Sequence, residues 1–234
     1  MENKFIVEIS IYRNPILSVN VYGVLCEFNI DYYSDKLFDD FRVVKPAIFY
    51  KLSVIRKAEF LAGRIAALCA LKNIGIENFP IEIRKNRVPL WPQGIVGSIS
   101  HTCNRAVSVV SLTSEIKNIG VDIENIMSIE NASKVCSYIA SRKEYELLMS
   151  TNFSFELCST ILFSAKETLF KAIYPVANIF FDFVDVELCS VSSGENLLFL
   201  QLNRDINTFY ESGMIFVIKF DVLENYVITF TQIS

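Results

Sequence analysis

The chain has 234 residues, of which 52% are hydrophobic and 21% charged, a length and an apolar content that predict one or two globular domains. These values exclude an intrinsically disordered chain, which is poor in apolar residues, and a collagen-like chain, which needs a glycine at every third position. No apolar run reaches the roughly 18 residues of a membrane span. The net charge of −4 argues against a general nucleic-acid binder, which carries a strong basic excess.

The first residues and the cysteines bear on the cellular compartment. The segment MENKFIVEISIYR alternates apolar and polar residues, whereas a signal peptide has a basic start followed by an unbroken apolar stretch. The six cysteines are scattered without a CxxC pair, as expected of reduced thiols in a cytosolic protein. We therefore expect a cytoplasmic protein. Its apolar content fits ordinary core as well as a loose association with a membrane or a larger complex.

The predicted elements of the first half begin with a strand over residues 5–12, where apolar and polar residues alternate. Over residues 51–72 apolar residues recur at three- and four-residue steps, which is typical of a helix with one buried face. The segment IEIRKNRVPLWPQG predicts a short strand followed by a loop, because Pro89 and Pro92 cannot lie within a central strand. Three β-like pieces, IVGSISH, AVSVVSL and NIGVDIE, then predict a meander.

The second half predicts two helices and four strands. The helices are expected over residues 134–149 and 155–174, the second ending before Pro175. The strand-like segments are FFDFVDVELC, NLLFLQLN, GMIFVIKFDV and NYVITFTQ. Because each half contains both helix and strand, we predict an α+β fold of two similar-sized lobes, residues 1–118 and 119–234, with a ligand site at their interface.

Two carboxylates stand out in the segment GVDIE. Asp122 and Glu124 are two residues apart, so on a strand both side chains point to the same face, while Val121 and Ile123 point to the other. Paired carboxylate oxygens suit Mg²⁺, which takes one or two carboxylates together with water and substrate phosphates. The same pattern also occurs on solvated strand edges, so the spacing alone leaves both interpretations open.

The segment FSAKETLFK, on the second predicted helix, carries a possible acid–base pair. Glu167 and Lys171 are four residues apart and share a helix face in the favourable order. Alone, the pair also fits a surface ion pair worth a few tenths of a kcal/mol. The neighbouring Phe163 and Phe170 are large and apolar, which favours a position at the junction of the lobes.

The remaining candidates are polar or cationic and lie in the first half. GSISH combines small residues with the Ser100 hydroxyl and the only imidazole, that of His101, at a strand end where a backbone can approach an anionic group. Arg64 lies on the predicted helix, and Lys57, seven residues earlier, falls on nearly the same side. Arg87 in NRVP is a third cation near these segments. Each also fits an ordinary structural or solvated residue.

Taken in order, AEFLAGRIAA, NRVPLWPQGIVGSISH, GVDIE and FSAKETLFKAIYP resemble the signature segments of the 4'-phosphopantetheinyl transferase superfamily. The resemblance spans residues 57–175 and is to the two-lobed, monomeric type, in particular to its enterobactin synthase component D branch. It implies two lobes related by a pseudo-twofold axis, each a small antiparallel sheet with a packed long helix. It also implies transfer of the phosphopantetheine arm of coenzyme A to a serine of an apo acyl, aryl or peptidyl carrier protein, with release of adenosine 3',5'-bisphosphate.

The resemblance further implies roles for individual residues. Asp122, Glu124 and Glu167 would hold Mg²⁺ against the diphosphate of coenzyme A, so Asp122 would also border the coenzyme site. Glu167 would accept the proton of the carrier serine, and Lys171 would neutralise charge on the phosphates. The groups that would contact the nucleotide phosphates and the diphosphate are Ser100, His101, Lys57, Arg64 and Arg87.

Two positions depart from the superfamily pattern. Phe163 stands where the superfamily usually has Trp, and Thr168 where Ala or Ser is common.

Two alternatives to this function remain. A non-catalytic carrier-binding or assembly protein could use the same scaffold. The same reaction could also serve fatty-acid synthesis, although the small synthases of that type are about half as long and trimeric. We expect the carrier protein to dock with its acidic face on an apolar and partly basic patch near the lobe junction. As a hypothesis, Tyr138, Ile139, Arg142 and Lys143 of the YIASRKEYELL segment contribute to this patch.

Overall fold

The computed structural model of the chain describes residues 4–233, and these form strands β1–β9 and helices α1–α5. The strands are β1 Ile6–Tyr12, β2 Tyr22–Phe28, β3 Ile95–Thr102, β4 Arg105–Leu112, β5 Asn118–Asn125, β6 Val186–Ser192, β7 Leu197–Leu202, β8 Ile215–Val222 and β9 Tyr226–Ile233. The helices are α1 Leu37–Asp40, α2 Val54–Asn73, α3 Ile129–Ile139, α4 Arg142–Met149 and α5 Phe155–Ala177.

The chain divides into two compact units, Met1–Val121 with Gln232–Ser234 (unit 1) and Asp122–Thr231 (unit 2). Unit 1 contains the four-stranded sheet with the order β1-β2-β4-β3, and the second sheet has the order β5-β9-β8-β7-β6. The pairs β1–β2, β2–β4, β3–β4, β6–β7, β7–β8 and β8–β9 are antiparallel. Helices and antiparallel strands occur in both units, which confirms the predicted α+β class.

In unit 1 the helix α2 packs on β2, β3 and β4. The Ser53 side chain caps its first turn by accepting a hydrogen bond from the N–H of Arg56. Small buried residues on one face of α2, such as Ala62 and Ala66, allow a close approach to the sheet. The approach is closest at Gly63, where a Cβ atom would lie 2.9 Å from Cγ2 of Ile99 on β3. This contact brings the end of β3 next to α2.

In unit 2 the helix α5 packs against α3, α4 and β8. Its buried face includes Ile161, Leu162, Ala165 and Leu169, which recur at three- and four-residue steps. The helix ends at Asn178, whose backbone is in the left-handed region with φ 50° and whose N–H donates to the carbonyl of Tyr174. The same helix carries the predicted catalytic residues Glu167 and Lys171, which are half-buried.

Two helix predictions need correction. The helix expected over residues 134–149 is two helices, α3 and α4, because Ala140 is extended and Ser141 starts a new helix. The Ser141 hydroxyl accepts from the N–H of Glu144, and the Glu144 carboxylate accepts from the N–H of Ser141, which forms a capping box. The helix expected to end before Pro175 continues to Ala177, since a proline in the last turn leaves most of the preceding hydrogen bonds intact.

The strand predictions were right for β1, β3, β4, β5, β7, β8 and β9, and four points differ. The strand β2 was not predicted. The predicted meander is wrong at its third piece, since β5 joins β9 in the other sheet. The strand expected from Ile81 is reduced to one bridge between Ile83 and Pro89. The segment FFDFVDVELC becomes a strand only from Val186, because residues 183–185 form a 3₁₀ turn.

Disulfides and membrane-spanning helices can be assessed for the described residues 4–233. All six cysteines lie in this range and none is in a disulfide, as predicted. No helix in this range is both long enough and apolar enough to cross a membrane.

Candidate active site

Asp122 on β5 is the most tightly held of the predicted site residues. Its side chain is 2% exposed, and its two oxygens have different partners. Oδ2 accepts a hydrogen bond of 2.7 Å from the Ser164 hydroxyl, and Oδ1 lies 2.6 Å from the Lys171 ammonium. Both partners are on α5. The structure thus joins the GVDIE and FSAKETLFK segments through this carboxylate.

Three hydroxyl groups form a hydrogen-bonded network next to the Asp122 carboxylate. The Ser164 hydroxyl lies 2.8 Å from Oγ1 of Thr229 on β9, and Oγ1 of Thr168 lies 2.6 Å from the same atom. All three side chains are buried. Thr168, one of the departures from the superfamily pattern, therefore has a place in this network. Ser164 and Thr229 were not among the predicted site residues, because no local pattern of the sequence shows that they meet.

Glu167 lies one turn before Lys171 on α5. Burial raises the pKa of the Glu167 carboxyl above its usual value, Lys171 opposes this increase, and the negative charges of Asp122 and Asp182 add to it. The structure therefore brings Asp122, Glu167 and Lys171 into one electrostatic group. A carboxyl group whose pKa is raised by burial is suited to accept a proton near neutral pH.

Glu124 lies two residues beyond Asp122 on β5 and is half-buried. Among residues 4–233, no three His, Cys, Asp and Glu side chains are arranged as a set that could hold a metal ion. The Lys171 ammonium lies at Oδ1 of Asp122, where a cation would bind. The type of donor nevertheless fits Mg²⁺, because three carboxylates and one lysine leave an excess of negative charge on oxygen ligands.

A small pocket with a cavity volume of about 80 Å³ opens beside Glu167. Its acidic groups are Glu167 and Asp182, and the Lys166 side chain also reaches its wall. The apolar wall consists of Val186 and four phenylalanine rings, those of Phe170, Phe180, Phe181 and Phe183. Phe163 contacts this wall at a ring centroid distance of 5.5 Å from Phe183. The pocket thus presents an apolar surface next to a carboxylate.

Lys166, the residue before Glu167, is a buried lysine that binds backbone carbonyls of the pocket wall. Its side chain is 2% exposed, and its ammonium lies 2.8 Å from Oε1 of Glu144. It also donates to the carbonyls of Phe183 at 3.0 Å and Val186 at 2.7 Å. Burial lowers the pKa of Lys166, and the Glu144 carboxylate opposes that change. The Glu144 carboxylate in turn accepts from the N–H of Leu188, so α4, α5 and β6 share one buried network.

In unit 1, Ser100 and His101 are successive residues of β3, so their side chains point to opposite faces of the sheet. Ser100 is buried. Nδ1 of His101 lies 3.5 Å from Oε2 of Glu59 on α2, and the same oxygen accepts a 2.9 Å hydrogen bond from Arg56. Glu59 was not among the predicted site residues, although its position in AEFLAGRIAA, four residues before Gly63, was a usable signal.

The side chains of Arg64 and Lys57 both make internal contacts. Arg64 is buried, its Nε donates to the carbonyl of Ile81 at 3.2 Å, and its guanidinium lies 4.5 Å from the ring centre of Phe60. Burial lowers the pKa of Arg64 to about 10, so the group stays cationic at neutral pH. The Lys57 ammonium lies 3.2 Å from Asp35 and 4.2 Å from the ring centre of Phe49.

Arg87 is exposed and lies in a tight loop. Its backbone has a φ of 68°, in the left-handed region, and its N–H donates to the carbonyl of Arg84. The loop closes where the N–H of Arg84 donates to the carbonyl of Val88 at 2.9 Å. Arg84, Lys85 and Arg87 are all exposed on this loop, which makes it a basic projection of unit 1.

The predicted carrier-docking residues differ in exposure. Tyr138 is 73% exposed, but Ile139 is 2% exposed and belongs to the core, so its expected role in docking is wrong. A helix turns by about 100° per residue, which places neighbouring residues on different faces. Arg142 and Lys143 are exposed and form ion pairs with Glu146 at 2.8 Å and with Glu187 at 3.2 Å.

Comparison with known proteins identifies the family. The profile of the 4'-phosphopantetheinyl transferase N-terminal domain matches residues 48–111, and that of the 4'-phosphopantetheinyl transferase superfamily matches residues 118–231. The chain is 44% identical over 117 residues to enterobactin synthase component D of Salmonella typhi, a match over 50% of this chain and 48% of that protein. The same identity and length relate it to enterobactin synthase component D of Escherichia coli, over 54% of that protein.

A more distant relative is the 4'-phosphopantetheinyl transferase Svp of Streptomyces mobaraensis, which is 29% identical over 133 residues, or 57% of this chain and 54% of that protein. The chain thus matches about half the length of these curated relatives. The two profiles, however, cover both units and contain every residue assigned to the candidate site. The chain belongs to the 4'-phosphopantetheinyl transferase superfamily.

Proposed function

We propose that this protein transfers the 4'-phosphopantetheine group of coenzyme A to a serine of an apo carrier protein of a nonribosomal peptide, siderophore or polyketide synthase. The relatives named enterobactin synthase component D and 4'-phosphopantetheinyl transferase support this activity. The structural observation that carries the proposal is the group formed by Asp122, Glu167 and Lys171 in unit 2. It combines a fixed carboxylate, a proton acceptor and a cation.

The transfer exchanges one bond to phosphorus for another. The serine Oγ bonds to the phosphorus that carries pantetheine, the bond from that phosphorus to the bridging diphosphate oxygen breaks, and adenosine 3',5'-bisphosphate leaves with the electron pair. A serine hydroxyl is a weak nucleophile at neutral pH, so its proton must pass to a base. Glu167 takes this proton, since burial makes its carboxylate more basic than an exposed one. Lys171 neutralises charge on the departing phosphate.

Mg²⁺ is part of this proposal, with Asp122, Glu124 and Glu167 as its ligands. The bound ion would supply charge neutralisation at the diphosphate. The Ser164 hydroxyl holds Oδ2 of Asp122 and therefore sets the orientation of that carboxylate. The excess of carboxylates over lysines at this place favours binding of a divalent cation over an uncharged ligand.

Unit 1 is proposed to bind the nucleotide part of coenzyme A through Ser100, His101, Lys57, Arg64 and Arg87. The buried Arg64 supports this role because it remains charged and its guanidinium lies over the ring of Phe60. The exposed Arg87 supports it because the loop projects three cations together. Lys57 would have to exchange its contact with Asp35 for a phosphate.

The apolar pocket beside Glu167 is proposed to receive part of the pantetheine arm. The arm is attached to the reacting phosphorus, so it has to pass close to the residue that accepts the serine proton. The phenylalanine rings of the pocket provide apolar surface for its alkyl groups. With a volume of about 80 Å³, the pocket holds a segment of the arm and leaves the rest outside.

Intact-protein mass spectrometry tests the activity. An apo peptidyl carrier is incubated with the protein, coenzyme A and Mg²⁺, and a parallel sample contains EDTA. We expect a mass gain of one phosphopantetheine group that is lost with EDTA. No gain on aryl, peptidyl and acyl carriers with a folded protein would contradict the proposal and favour a non-catalytic carrier-binding protein. A gain that persists with EDTA would contradict the part of the proposal that concerns Mg²⁺.

We further propose that the protein acts as a monomer in the cytoplasm. Light scattering coupled to size-exclusion chromatography tests the first point, with the expected mass being that of one chain of 26.7 kDa. A dimer or trimer mass would contradict it. Cell fractionation tests the location, and recovery of the protein only with membranes would contradict a cytoplasmic site.

A further inference from the structure

Glu59 is a buried carboxylate of unit 1 that has no role in the proposed reaction. It is 6% exposed and lies on α2. Burial raises the pKa of its carboxyl above the usual value, and Arg56 opposes this change. A buried carboxylate is costly unless it has partners. Oε2 accepts a hydrogen bond of 2.9 Å from Arg56 and lies 3.5 Å from Nδ1 of His101, which is ion-pair distance without a hydrogen bond.

The packing of α2 on β3 sets the position of Glu59 relative to His101. Gly63 lies four residues after Glu59, so both face the same side of α2. A Cβ atom at Gly63 would lie 2.9 Å from Cγ2 of Ile99 and 3.8 Å from Cδ2 of His101. The missing side chain thus lets the helix approach β3 at the imidazole. This approach brings the Glu59 carboxylate to the ring.

The charges near His101 come from two elements. On α2 they are Glu59 and, beyond its carboxylate, Arg56, whose side chain is largely exposed. On β4 the residue opposite His101 is Ala106, which carries no charge, and the neighbouring Arg105 pairs with Glu27 at 2.9 Å. Of these groups, the one in contact with the imidazole is the Glu59 carboxylate, and Arg56 moderates its effect.

We propose that Glu59 is a positioning residue whose carboxylate, beside Nδ1 of His101, holds the imidazole in the cationic form by its charge. A carboxylate within 4–6 Å favours the protonated imidazole and raises its pKa by about one to three units when no other charge intervenes. In the proposed contact of His101 with the coenzyme phosphates, the cationic ring would supply positive charge. The part of this inference that concerns a phosphate rests on the proposed function. The effect of Glu59 on the protonation of His101 does not.

A histidine titration tests the effect directly, because His101 is the only histidine of the chain. Its ring signals in NMR spectra of a protein without an affinity tag need no assignment. We expect Glu59→Gln to lower the pKa of His101 by about one unit or more. As a matched control, Glu27→Gln removes a carboxylate that pairs with Arg105 on the same sheet, and it should leave this pKa unchanged.

A second variant keeps the inference testable if Glu59→Gln does not fold. Arg56→Gln removes an exposed cation from the same carboxylate oxygen, so the full charge of Glu59 acts on the imidazole. We expect the pKa of His101 to rise in this variant. An unchanged pKa in Glu59→Gln, or an unchanged or lower pKa in Arg56→Gln, overturns the inference.

Calorimetric titration with coenzyme A separates this inference from the proposed function. We expect Glu59→Gln to bind coenzyme A severalfold more weakly than the wild type at pH 7.5, and with nearly equal affinity at pH 5.5, where the imidazole is protonated in both proteins. A lowered pKa together with unchanged binding at both pH values would support the role of Glu59. The same result would contradict the proposed contact between His101 and the coenzyme phosphates.

Discussion

The Lys171 ammonium on α5 lies 2.6 Å from Oδ1 of Asp122 on β5, although the two residues are 49 positions apart in the chain. Asp122 is almost fully buried, whereas Lys171 is partly exposed. The contact joins the two segments that are proposed to perform the transfer. The ammonium thus compensates a buried carboxylate, and its second, proposed function is to supply positive charge to a phosphate.

Replacing Lys171 tests both functions. Lys171→Met removes the ion-pair partner of Asp122, so we expect the free energy of unfolding to fall by about 1–3 kcal/mol. We also expect the rate of carrier modification to fall by about 10²-fold or more, because a group that stabilises transition-state charge is lost. Urea denaturation and timed mass spectrometry measure the two effects. Lys36→Met, which replaces an exposed lysine at the N-cap of α1, is the control and should change neither by much. Wild-type activity in Lys171→Met would contradict its proposed role.

Glu167→Gln tests the role of Glu167 as proton acceptor separately from its effect on the stability of the fold. The substitution keeps the shape of the side chain and removes its charge, so we expect carrier modification to fall by about 10²- to 10⁴-fold. Because the folded protein raises the pKa of Glu167, the ionised group destabilises the fold above that pKa. We therefore expect the melting temperature at pH 7 to stay equal or to rise slightly. Glu130→Gln, at an exposed position of α3, serves as a control. A fully active Glu167→Gln protein would refute the assignment of the base.

The buried pair of Lys166 and Glu144 is expected to hold the pocket wall and the fold together. Lys166→Met leaves Glu144 buried without its cation, which should lower the free energy of unfolding by about 3–5 kcal/mol. The double variant Lys166→Met with Glu144→Gln should recover part of this loss, because the uncompensated charge is gone. A double-mutant cycle in urea measures the coupling. If the two losses simply add, the pair is not coupled and the prediction is wrong.

The pair of Asp185 and Arg204 predicts a pH-dependent contribution to stability. The hydrogen bond from Arg204 lowers the pKa of Asp185 below its usual value. A lowered carboxyl pKa stabilises the fold above the pKa of the unfolded chain, and this contribution is lost as the pH falls through the folded pKa. We expect Arg204→Gln to cost about 0.5 kcal/mol at pH 7, as for other partly exposed pairs, and less at pH 3.

Urea midpoints of wild type and Arg204→Gln at pH 7, 5 and 3 measure this difference. Lys72→Gln, which removes an exposed cation 4.0 Å from Glu77, is the matched control and should show little effect at any of these pH values. A destabilisation by Arg204→Gln that is as large at pH 3 as at pH 7 would show that the loss comes from packing. That outcome would contradict the electrostatic explanation.

Local elements were largely predictable because their signals lie within a few residues. The helix α2 follows from its apolar periodicity and α5 from a long apolar face, both visible in the sequence. The break between α3 and α4 also had a local signal, the Ser141 and Glu144 pair of a capping box. The prediction missed this break because apolar residues continue on both sides of it. In the missed strand β2 burial alternates from Val24 to Phe28, but the half-buried Leu25 is apolar as well, so the sequence shows no clear apolar and polar alternation.

The sequence by itself determined the local elements, the superfamily and the residues of its motifs, because spacing along a chain sets which side chains share a strand or helix face. Only the tertiary structure decided which distant groups meet. Lys171 contacts Asp122, Lys166 contacts Glu144, and Glu59 reaches His101. These contacts depend on how helices pack on sheets, and that packing depends on the shapes and burial of many side chains together. No short pattern of residues contains that information.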